Sequence, residues 1–130
     1  MRHLCLALLL TALPAQAEPG MSGAEFEAYA TGKTLIYGFA GAPFGGEEYL
    51  ENRRVLWSFL DGDCKDGHWY EEAGNICFVY EDTPEPQCWS FHRRGDGVVA
   101  QFENNPEYIE LYQVEITDQP LLCLGPEVGV

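Results

Sequence analysis

Seven short runs of β-branched and aromatic residues constrain this chain more than any other feature. They are cut apart by glycine, proline, asparagine and aspartate. The runs are TLIYGF (34–39), RRVLWSFL (53–60), HWYEE (68–72), NICFVYE (75–81), QCWSFHR (87–93), VVAQFE (98–103) and YIELYQVE (108–115). Each has the length of a strand and none that of a typical helix. Between them the sequence predicts a glycine-rich loop over 40–52, a turn over 61–67, a hairpin tip at Ala73-Gly74, a rigid loop at DTPEP (82–86) and a turn at Arg94–Gly97. Ser22-Gly23-Ala24-Glu25 is a capping-box pattern, so a short helix is expected from 23 to 31, stopped by Gly32. The pattern predicts a mostly β fold: a small antiparallel β-barrel or sandwich of about seven strands with one short N-terminal helix. Sequential hairpins favour an up-and-down meander, and closure into a barrel would remove its edges.

The central strands can be placed in register. A two-residue loop at Ala73-Gly74 sets Glu72 opposite Asn75, Tyr70 opposite Cys77 and Trp69 opposite Phe78. Side chains alternate, so Trp69, Ile76, Phe78 and Tyr80 share one buried aromatic face. Setting Glu81 opposite Cys88 extends that face through Trp89 and Phe91.

The ends of the chain read differently. Arg2 and His3, the apolar run LCLALLLTAL and Ala15-Gln16-Ala17 form a signal-peptide pattern over 1–17, with cleavage after Ala17. The apolar run is too short to span a bilayer. Residues 18–130 are then expected to form a single β domain, with an irregular tail from 116. Loss of the leader removes one arginine and no acid, leaving six basic and twenty-one acidic residues, a formal charge of −15. Such a polyanion should repel nucleic acid and anionic lipid, and would attract a cationic protein.

Cys5 would leave with the leader, and Cys64, Cys77, Cys88 and Cys123 remain. An even count in an exported domain predicts two disulfides. The spacings lack the close C-x-x-C pairs of a zinc site. The register above separates Cys77 from Cys88 by roughly 13 Å along the strands, so the expected pairs are Cys64–Cys88 and Cys77–Cys123.

No motif identifies a reaction. His68 and His92 fall on strands that are not neighbours, so no histidine metal site is expected. Asp61 to Glu72 matches an EF-hand loop at its ends but has Asp66 where the sharp turn needs glycine. Ser22 reads as a cap, Ser58 and Ser90 lie in strands, and no G-x-S-x-G occurs. Neither a catalytic residue nor a cofactor is expected.

The segments GKTLIYGF, EEYL, RRVLWSF, DGDCKDGHWYEE, ICFVYED and PQCWSF together resemble a family of short exported alphaproteobacterial proteins, an uncharacterised domain of unknown function. The resemblance covers about residues 20–115. Its most specific parts are Cys77-Phe78, Cys88-Trp89 and Gly67-His68-Trp69. It implies export to the periplasm and a small β domain, and supplies no activity, cofactor or site residue.

Seventeen aromatic residues follow the leader, enough to fill a core or line a cavity. The expectation is a monomeric, non-enzymatic domain that binds a small apolar ligand. Its candidate contacts are Phe44 and Tyr49 in the 40–52 loop and Trp57 on the strand that follows. The alternative is an acidic protein-binding module, such as an inhibitor of a basic cell-wall hydrolase.

Overall fold

A computed structural model of the chain describes residues 10–12 and 18–124. The expected signal peptide, 1–17, lies outside the described residues except for 10–12. After helix α1 (Gly23–Ala30) come eight strands: β1 (Thr34–Phe39), β2 (Ala42–Tyr49), β3 (Arg54–Ser58), β4 (Lys65–Glu72), β5 (Asn75–Tyr80), β6 (Thr83–Arg94), β7 (Gly97–Phe102) and β8 (Glu110–Thr117). Each pairs antiparallel with the next, and β8 returns to β1, so the sheet closes into an up-and-down barrel without a free edge.

The eighth strand lies where the sequence suggested a loop. β2 occupies most of the 40–52 segment, and its glycines serve packing rather than flexibility. A Cβ on Gly45 would collide with the Trp57 indole, and one on Gly46 would meet Ile36 and Leu121. The register shifts by one residue around Phe44, between the pairs Tyr37–Gly45 and Gly38–Pro43. This bulge re-aims the strand near its start. The β1–β2 connection is only Ala40-Gly41, both with positive φ as a tight hairpin requires.

β6 also begins earlier than expected and takes in Pro84 and Pro86. Its pairing to β7 starts only at Trp89–Phe102, so the prolines sit where no neighbour needs their missing N–H. β8 runs to Thr117, so the irregular tail begins two residues later than 116.

The register across β4 and β5 is as expected, with Trp69–Phe78, Tyr70–Cys77 and Glu72–Asn75 opposed. Across β5 and β6 it is not. The turn is Glu81-Asp82, a bulge follows, and Cys88 stands opposite Cys77 instead of Glu81. The slip is four residues. An even slip keeps every side chain on its face, so Trp69, Ile76, Phe78, Tyr80, Trp89 and Phe91 still point inward together.

The slip overturns the expected disulfides, which are Cys77–Cys88 and Cys64–Cys123. Cys77 and Cys88 are direct cross-strand neighbours. The tail does leave β8 far from Cys64, but it turns back along the outside of β1 and β2. Thr34 Oγ1 donates to the Gln119 carbonyl, Leu121 N–H to Glu48 Oε2, and Leu124 N–H to the Gly62 carbonyl. That path delivers Cys123 to the 59–64 loop.

Helix α1 plugs one end of the barrel. Ser22 and Glu25 form the capping box. Phe26, fully buried, sets its ring 5.2 Å from Tyr49, 5.2 Å from Trp69 and 4.4 Å from Phe91. Glu71 accepts the Gly23 N–H, Arg53 pairs with Glu27, and the Arg53 guanidinium lies 4.4 Å over Trp69. The connections 40–41, 59–64, 81–82 and 103–109 gather at the other end.

Candidate functional site

The unplugged end opens into the barrel. A cavity of about 270 Å³ runs inward from it. Its mouth carries Phe44, Trp57, Phe59 and Trp89, and its floor Tyr37, Tyr49, Phe78 and Phe91. Phe44 lies 6.0 Å from Trp57 and 5.9 Å from Phe59, and Trp57 and Phe59 are 5.4 Å apart, edge to face. Lys65 and Asp82 form an ion pair of 2.7 Å at the rim, with Lys65 Nζ 5.6 Å over the Phe59 ring.

Inside this aromatic chamber stands one carboxyl group. Glu47 follows the same alternation on β2 as Tyr49 and faces Trp57 across the β2–β3 pairing. It is 1% exposed. Its Oε1 accepts the Tyr80 hydroxyl at 2.8 Å, and its Oε2 has no hydrogen-bond partner. Burial pushes the Glu47 carboxyl well above the usual carboxylate range, and the Tyr80 hydrogen bond only partly opposes that. The Tyr37 and Tyr49 hydroxyls share a hydrogen bond of 2.7 Å. Burial also raises the Tyr37, Tyr49 and Tyr80 phenols above their ordinary value, and the charge of Glu47 adds to the effect. All three remain protonated donors at neutral pH.

The three expected ligand contacts, Phe44, Tyr49 and Trp57, all line this one cavity, although two of them lie on a strand rather than a loop. Glu47, Tyr37 and Tyr80 are lining residues that the sequence reading did not single out. The signal was available: once 42–49 is a strand, period-two alternation places Glu47 on the same inward face as Tyr49.

The other candidates lie apart from the cavity. His68 on β4 is exposed on the outer surface opposite Arg54 and Val79. His92 on β6 stands opposite Val99, and its Nε2 is 3.0 Å from Ser90 Oγ. A serine beside a histidine invites a nucleophile reading, but Ser90 is fully buried, and a Cβ on Gly20 would come within 3.1 Å of its Cβ. Its hydroxyl donates to Asn104 Oδ1 at 3.0 Å and bridges β6 to the loop after β7. Glu72 lies beside Cys77 and Cys88, but their sulfurs are joined in a disulfide.

The fold and its interior define a class: a closed, helix-plugged, eight-stranded barrel with an aromatic chamber open at one end. Comparison of the chain with family models, curated proteins and solved structures returned no match.

Proposed function

We propose that this protein is a binding protein that holds a small, largely apolar ligand inside its barrel. The observation that carries this reading is the chamber itself. A dry cavity of about 150 Å³ accommodates benzene, so 270 Å³ suits a body of one or two fused rings. The walls offer ring faces and few polar atoms, as small-molecule sites do. Such a ligand would enter between Phe44, Trp57 and Phe59, displacing no part of the sheet.

Two disulfides support residence in an oxidising compartment, and with the leader pattern they favour the periplasm or the exterior. No helix among the described residues is long and apolar enough to cross a membrane. Glu48, Asp66, His68 and Glu115 face outward from the strands, which argues against a lipid-facing band.

Calorimetric titration with naphthalene tests the proposal. Binding with a Kd on the order of 10–100 μM is expected from its size, little changed by salt, and weakened in Trp57→Ala. No heat and no protection against thermal unfolding would contradict it. Capture of basic proteins that weakens steeply with ionic strength, without naphthalene binding, would support the acidic-module alternative instead.

A further inference from the structure

The chamber is uneven in its chemistry. Of the polar side-chain atoms buried among the described residues, Glu47 Oε2 alone lacks a partner. A buried acceptor left without a donor is costly, and native structures rarely tolerate one. Glu47, which carries this orphan, is among the residues that line a cavity large enough for a ligand. Of the three phenol protons nearby, one goes to Glu47, one is spent within the Tyr37–Tyr49 pair, and the third stays on the hydroxyl that accepts in that pair. The unpartnered carboxyl oxygen is the wall's open acceptor.

We propose that the chamber selects apolar molecules carrying a protonated amine, with the ammonium donating to Glu47 Oε2 and the hydrocarbon body against the aromatic walls. The proposal rests on the reading of the cavity as a ligand site.

Three features support a cation over a neutral donor. First, an ammonium favours the ionised carboxylate that burial otherwise disfavours, so binding exchanges the Glu47 proton for a charge-assisted hydrogen bond at Oε2. Second, the rings around Glu47 offer π-faces: Tyr49, Trp57, Phe78 and Tyr80 all line the chamber. Third, the chain's formal charge of −14 draws organic cations toward it and repels anions. The groups facing Glu47 do not compete. Tyr37 on β1, Tyr49 on β2 and Tyr80 on β5 are neutral phenols, and β3 contributes the apolar Trp57. The ammonium of Lys65 on β4 is already held by Asp82 at the rim. None of the four ion pairs among the described residues includes Glu47.

A matched set of probes tests this: 1-naphthylmethylamine, 1-naphthylmethanol and 1-naphthoic acid, titrated into the purified protein and its variants. The amine should bind about tenfold or more tighter than the alcohol, and the acid weakest. Glu47→Gln, an isosteric change, should bring the amine-to-alcohol ratio close to one. Tyr80→Phe removes a hydroxyl but keeps the carboxylate, so it should retain the preference, and it serves if Glu47→Gln does not fold. Equal binding of amine and alcohol, tightest binding of the acid, or a preference that survives Glu47→Gln would overturn the amine proposal while leaving the carrier reading intact. Failure of all three probes to bind would overturn both.

Discussion

The two ends of the barrel are built from the same kinds of residue and do opposite things. At the plugged end Phe26, Trp69 and Phe91 interlock with less than a tenth of each exposed, and α1 closes the space above them. At the open end Phe59 meets Phe44 and Trp57 edge to face beside a void that Trp89 also lines, and Phe59 is 51% exposed. Aromatic content alone therefore does not decide between a solid core and a chamber. What decides here is an eight-residue helix with one phenylalanine, present at one end only. The ends also differ in fastening: the 59–64 loop at the mouth is tied by Cys64–Cys123, whereas the plug is held by packing, the Glu71–Gly23 hydrogen bond and Arg53.

The comparison can be broken most severely by reduction. The two bridges close loops of 59 and 11 residues. By chain entropy alone they stabilise by about 4 and about 3 kcal/mol respectively. Reduction should therefore lower Tm by many degrees. Removing only the mouth bridge, as Cys64→Ser with Cys123→Ser, should cost more than removing Cys77 and Cys88. An unchanged melt would mean the bridges are incidental.

A smaller and more selective effect is expected from truncating one tryptophan at each end. Trp69→Ala should destabilise by about 3–5 kcal/mol, since it empties a packed site and strips Arg53 of its ring. Trp57→Ala should cost distinctly less, because Trp57 is only partly buried and lines the chamber, yet it should impair ligand binding. Equal losses in chemical denaturation would remove the distinction between plug and chamber.

The smallest effect is one of pH. Burial raises the Glu47 carboxyl in the folded barrel above its unfolded value. The folded protein then keeps a proton that the unfolded chain has released, so stability falls as pH rises from about 4.3 toward the folded pKa. Glu47→Gln abolishes this slope. Its Tm relative to wild type should grow more favourable as pH rises above about 4.3. A difference flat above that pH would show that Glu47 does not titrate as a buried group.

Much of this architecture was legible in the sequence because alternation survives small errors. β1 and the β4–β5 hairpin follow from β-branched runs and a two-residue loop. The inward aromatic face held even though the β5–β6 register was misplaced, because the slip was even. The disulfides were not legible, since they depend on the register itself and on a tail that doubles back outside the barrel. β2 was hidden because its glycines resemble loop glycines. Only the Trp57 indole over Gly45, a contact between strands, shows why a side chain there would not fit. With β2 unread, Glu47 had no face, and the polar heart of the chamber stayed out of view although Phe44, Tyr49 and Trp57 were picked out. The helix was visible, but its place as a plug at one end is a tertiary fact with no local signature.

The central claim is that the barrel is hollow in order to be filled. A native mass spectrum of the protein taken from its own cells, set beside its denatured mass, tests this most directly. The denatured mass should fit residues 18–130 less four hydrogens, one pair for each bridge. The account predicts additional native mass that is lost on denaturation, corresponding to one small organic molecule. A native mass equal to the denatured one, in protein that also fails to take up naphthalene, would contradict it.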